Sequence, residues 1–239
     1  MKLARLCLLF GLFLCFVSRA RADLTIVQKV DGAGEPGGVM TVRIKGNMAR
    51  IDATPQISTI IDSKTGEVVT LMKDQKTVVR ISADRMKAAA EMIDKFSDKR
   101  ASAVPSKPTP TGRKETINGY EAEEYIVDGP MFKAAYWVAP KFPESAAILK
   151  QLQAMKPEIW NSARRAVPNY RDFPALPVKT VVEMGNTKVT TTLVSVTQDA
   201  LNEADFAIPK DFQEMKTPDI GNMLQPGRAG QGTKASPHP

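Results

Sequence analysis

The sequence predicts an α+β fold: a curved antiparallel sheet, a half-open β-barrel, with helices packed on its concave face. Three observations carry this. Short segments of alternating polarity, separated by Gly, Asn, Asp and Ser, dominate the first third of the chain. Only two or three helical stretches interrupt them. Successive strand segments are joined by connections too short for parallel crossovers, so neighbours in sequence pair antiparallel.

The elements follow in order. Leu24–Val30 reads as a first strand, and residues 32–38 (GAGEPGG) as a loop. Met40, Val42 and Ile44 alternate with Thr41, Arg43 and Lys45, which gives a strand with one apolar and one polar or charged face. Gly46-Asn47 turns into Met48–Ala53; the next strands are Ile57–Asp62, Glu67–Lys73 and Thr77–Ser82. Over Ala83–Phe96 the apolar spacing changes to three and four, through Met86, Ala89, Ala90, Ile93 and Phe96, and Asp84 suits a first helical turn. Residues 101–113 (ASAVPSKPTPTGR) hold three prolines and read as a loop.

Tyr120–Asp128 and Phe132–Ala139 form a hairpin around Gly129-Pro130. A second helix covers Glu144–Met155, with a shorter one near Pro157–Ala166. Residues 166–177, with Pro168, Pro174 and Pro177, are expected to run over the surface. Val178–Met184 and Lys188–Val196 make a hairpin at Gly185-Asn186, and Asp205–Ile208 a last extended piece before Pro209. From Lys216 onward little remains to bury.

Residues 1–22 have the layout of a secretory signal: Lys2 and Arg5, an apolar run from Leu6 to Val17, then Ala20-Arg21-Ala22 as a cleavage site. At about 1.5 Å per residue this run reaches roughly 18 Å, short of a bilayer core of about 30 Å, so a cleaved leader is expected rather than a membrane span. The domain reading is therefore a signal peptide at 1–22, a single β-rich domain at 23–215 and a disordered tail at 216–239. The expected location is periplasmic or secreted, in a bacterium. Loss of the leader removes four of the basic residues and both cysteines, Cys7 and Cys15, and lowers the net charge from +7 to +3. So small a charge does not suit a nucleic-acid partner, and no disulfide can contribute to stability.

Composition excludes whole classes of chemistry. The single histidine, His238, lies next to the last residue. Ser–His–Asp and Cys–His mechanisms lose their base, and imidazole or thiolate metal sites their ligands. Gly32, Gly34, Gly37 and Gly38 precede a strand rather than a helix, so they are no phosphate cradle. Glu121, Glu123 and Glu124 could be nominated for paired-carboxylate hydrolysis, as could Asp52 and Asp62. A solvated strand face accounts for the glutamates, and turn hydrogen bonds for the aspartates. The expectation is no enzyme, no cofactor and no metal.

What remains is apolar surface. Ile60-Ile61, Val68-Val69, Leu71-Met72 and Val78-Val79 place apolar groups on both faces of their strands, which calls for burial on two sides. Methionines such as Met40, Met48 and Met86 suit either core filling or a pliable ligand cavity. Tyr136-Trp137, and Trp160 with Tyr170, suit either the core or a rim.

The segments MTVRIKGNMARID (40–52), IIDSKTGEVVTLMKDQKTVVRI (60–81), TGRKETINGYEAEEYIV (111–127), YWVAP (136–140) and FAIPKDFQEM (206–215) resemble an uncharacterised family of exported bacterial proteins, a domain of unknown function. That family is similar in architecture to the periplasmic lipoprotein carriers (LolA-like), although the insert at 156–177 does not align with them. The resemblance implies an apolar cavity that takes lipid or lipoprotein acyl chains. The residues expected to line it are Val42, Ile44, Ile51, Val69, Leu71, Val79 and Ile81. The alternative is a structural or protein-interaction module of the envelope, with a filled core and an envelope protein as partner.

Overall fold

The computed structural model describes residues 23–32, 37–96, 107–128, 133–155 and 170–215. The leader, the turn at Gly129-Pro130, the expected helix at 157–166, Trp160 and the tail from 216 lie outside these, as does 101–106 of the proline-rich stretch.

Six strands come first: β1 (Leu24–Asp31), β2 (Gly38–Lys45), β3 (Met48–Asp52), β4 (Ile57–Asp62), β5 (Glu67–Met72) and β6 (Thr77–Ile81). Each pairs antiparallel with the next, as the short connections dictate. Helix α1 (Ala83–Phe96) follows, with Met86 against the core. At its start Gly66 has φ +73, and a Cβ there would meet that of Ala83 at 2.9 Å. Glycine is the residue that fits both conditions.

Then come β7 (Thr109–Ile117), β8 (Tyr120–Asp128), β9 (Lys133–Val138), α2 (Ser145–Ala154), β10 (Pro177–Met184) and β11 (Thr187–Thr197). A two-residue strand, β12 (Gln213–Glu214), completes, among the described residues, one twelve-stranded sheet in the order β12-β6-β5-β4-β3-β2-β1-β11-β10-β9-β8-β7. The sheet is unclosed and antiparallel except at β12, which lies parallel to β6. The predicted half-open fold class is what the protein adopts. Lys179 Nζ on β10 lies 2.9 Å from Glu115 Oε1 on β7, a side-chain bridge over the two strands between them.

Three expectations are corrected. Residues 109–113 are strand, not loop. Pro110 and Gly112 are tolerated because β7 is an edge strand with its first eight residues exposed and its register shifted between Pro110 and Lys114. The expected strand at Asp205–Ile208 begins instead as a 3₁₀ turn, Glu203–Phe206, capped by Asn202 Oδ1, which accepts from the Ala204 amide. The segment before β10 does not run over the surface: Phe173, Ala175 and Leu176 are buried.

Strand alternation sorts the core into two faces. The inner face carries Leu24, Ile26, Ile44, Ala49, Ile61 and Val68, packed with Ile148 and Leu149 of α2. The outer face carries Ile60, Val69, Leu71 and Val78 under Ile208 and Phe212. The second layer required by the doubled apolar pattern is thus the chain's own C-terminal segment.

Candidate functional site

Between the inner face and α2 lies a cavity of about 280 Å³. Its floor is Ile26 and Gln28 of β1, Met40 and Val42 of β2, Thr191 and Leu193 of β11, Thr180 of β10 and Tyr136 of β9. Its roof is Leu152 of α2 with Tyr170, Phe173 and Leu176 from the segment leading into β10. Backbone register explains the floor: Ile26 pairs with Val42, Gln28 with both Met40 and Leu193, and Thr180 with both Tyr136 and Thr191.

Hydrogen bonds tie the roof to α2 and to the residue after β9. The buried Leu176 amide donates to Ser145 Oγ at 2.7 Å, and the Ala139 amide to the Leu176 carbonyl at 3.1 Å. The rings of Tyr136 and Phe173 pack tilted with centroids 4.8 Å apart. Burial, with Tyr170 beside it, pushes the Tyr136 hydroxyl up to about 12, so it stays protonated at neutral pH.

Two other recesses are less enclosed by separate layers. One of about 290 Å³ is built from β8, β9 and β10 residues alone and is rimmed by Asp128, Lys133 and Glu183. One of about 240 Å³ lies between Tyr120, Phe142 and Val194. Among the described residues no three His, Cys, Asp or Glu side chains come together where they could hold a metal ion.

A family profile described as a domain of unknown function, DUF4412, matches residues 34–212. The chain belongs to the DUF4412 family. No curated protein matches this DUF4412 chain. Among solved structures it is similar to PNGF-II at 13% identity and a TM-score of 0.41, covering 85% of this chain but only 33% of that one. It is similar to lipoprotein LppX of Mycobacterium tuberculosis at 10% identity and a TM-score of 0.38, over 74% of this chain and 88% of that one. A LolA superfamily protein of Nitrosomonas europaea is similar at 9% identity and a TM-score of 0.28, over 77% and 89%.

Of the seven residues predicted for a cavity in this DUF4412 protein, Val42 borders it. Ile44 and Ile51 lie on the same inner face, in the main core. Val79 and Ile81 pair with Thr70 and Val68, which puts them on that face too, half-buried and farther along the sheet. Val69 and Leu71 lie on the outer face. The roof leaves little trace in the sequence: Phe173 and Leu176 are three apart, a weak helical spacing, and Pro174 and Pro177 obscure it.

The acidic residues also find places. Glu124 is not on a solvated face: it is buried, and its carboxylate accepts from Arg113 Nη1 at 3.1 Å and Thr111 Oγ1 at 2.8 Å. Asp62 Oδ1 accepts from the Lys64 and Thr65 amides in a turn, as expected. Asp52 joins Arg43 at 2.5 Å and Arg50 at 3.0 Å, and accepts from Ser58. Burial acts to raise its pKa, but the hydrogen bonds from Ser58, Arg50 and Arg43 outweigh that and hold it below the usual carboxylate value.

Proposed function

We propose that this DUF4412 protein is an exported, non-catalytic envelope protein that binds an apolar ligand, the acyl chain of a lipid or lipoprotein, beneath α2. The observation that carries this reading is the cavity of about 280 Å³, with Ile26, Val42 and Leu193 below and Leu152, Phe173 and Leu176 above. Protein interiors seldom leave space larger than a water molecule, and ligand sites start at about 300 Å³. At about 280 Å³ this space stands at the lower edge of that range, and its apolar side chains from two layers suit a chain of methylenes. Each methylene buried contributes about 0.8 kcal/mol, so affinity should rise about fourfold per added carbon until the space is filled.

Export rests on the leader at 1–22, with cleavage near Ala22, a single mature domain at 23–215 and a tail at 216–239. Among the described residues no helix is long and apolar enough to cross a membrane. The second reading, a protein-interaction module, draws on the free edge of β7, although Pro110 and the run Arg113-Lys114-Glu115 are features that blunt such edges. Native mass spectrometry of protein purified from a cell envelope fraction separates them. Co-purifying lipid supports the acyl site; a lipid-free protein crosslinked in cells to one dominant protein partner supports the module.

A further inference from the structure

The wall of the cavity divides into two chemistries. Ile26, Val42, Leu152 and Leu193 are apolar, whereas Tyr136, Thr180 and Thr191 form a cross-strand row over β9, β10 and β11, with Gln28 and Tyr170 nearby. Among the described residues that line it, none is Asp, Glu, Lys, Arg or His. The side chains of Gln28, Thr180 and Thr191 are half-buried and have no hydrogen-bond partner among the described residues.

Lys179, Arg43 and Lys29, next to the lining in sequence, are paired with carboxylates outside it. Lys179 points to the opposite face from Thr180, paired with Glu115 and lying over the Trp137 ring at 4.5 Å from its centroid. Arg43 pairs with Asp52, and Lys29 with Asp31. Arg171 and Asp172, beside Tyr170, have interactions of their own.

We infer that the cavity selects an acyl ligand whose polar end is uncharged, such as an ester, an amide or an alcohol, and discriminates against the free carboxylate of a fatty acid. This rests on the acyl-site reading above and names the ligand class for it. Thr, Gln and Tyr side chains both donate and accept, which matches a carbonyl, ester or hydroxyl group. The Tyr136 hydroxyl stays neutral and so keeps its proton to donate. A carboxylate entering the same space gives up its hydration and meets hydrogen bonds but no cation among the described lining residues, which is the costly way to bury a charge.

The test is calorimetric titration of the delipidated mature protein at pH 8 with octanoic acid, methyl octanoate and N-methyloctanamide. All three share one chain length, and only the acid is ionised. The ester and amide are expected to bind roughly tenfold or more tighter than the carboxylate. The near-isosteric Thr180→Val is expected to lower ester and amide affinity severalfold, and an unchanged affinity for both overturns the part given to the threonine row. Octanoate binding as tightly as the ester overturns the selectivity and leaves the acyl site standing. Failure of all three to bind overturns the acyl site, and the selectivity with it.

Discussion

Arg50 Nη1 donates to the carbonyl oxygen of Asp205 at 2.6 Å, joining β3 to a segment 155 residues later. Lys45 on the same face, Asp23 and the edge of β6 hold the segment further. Lys45 Nζ donates to the Leu201 carbonyl at 2.8 Å, the Leu201 amide donates to Asp23, and the Gln213 amide donates to the Lys76 carbonyl at 2.8 Å. Ile208 and Phe212, carried by this strap, cover Val69, Leu71 and Val78. The apolar outer face of β4 to β6 is thereby covered by the chain itself, and the cavity beneath α2 belongs to the inner face.

Arg50→Ala removes the bond to Asp205 together with those to Asp52 and Ser58. A loss of about 2 kcal/mol is expected, the scale of charge-assisted hydrogen bonds in a partly buried setting. Chemical denaturation measures it. Ligand affinity should stay unchanged, because Arg50 lies on the face away from the cavity.

Asp52 sets a pH dependence. Its pKa in the folded protein is below the ordinary value, so it binds a proton more weakly folded than unfolded. Its contribution to stability is fully present above the unfolded value of about 3.9 and is lost as pH falls through the lower folded value. Denaturation midpoints measured from pH 6 downward should therefore fall in acid. Asp52→Asn should be less stable at pH 6 and show a flatter acid limb.

Leu71 is 1% exposed and packs in the outer cluster. Leu71→Ala should cost about 3 kcal/mol as a core truncation. Acyl affinity, measured under conditions where the variant is fully folded, should not change. A matched loss of affinity would mean that the outer cluster also contacts ligand.

Much of the sheet was legible from sequence because its strands are half-buried and alternate. The β1 to β6 meander and the β10–β11 hairpin follow directly from that alternation and from turns such as Gly46-Asn47 and Gly185-Asn186. Strand β7 was not legible, because an exposed edge imposes no alternation and Pro110 with Gly112 imitates a loop. Val69 and Leu71 illustrate a different limit. On strands apolar on both faces, pattern alone does not say which face meets the helix; that depends on the pairing of Val68, not Val69, with Ile81. The roof from Tyr170 to Leu176 depends on long-range bonds such as Ser145 to the Leu176 amide, which leave no local signal.

Leu152 is the roof residue from which the cavity is most readily filled, since it sits on a regular helix and is half-buried at its wall. The decisive measurement compares wild type and Leu152→Trp, purified in parallel from an envelope fraction, by native mass spectrometry, with a thermal melt confirming that both fold. The wild type should carry an acyl lipid that the filled variant lacks. A wild type without lipid, or the same lipid bound equally to both proteins, would contradict an acyl site beneath α2.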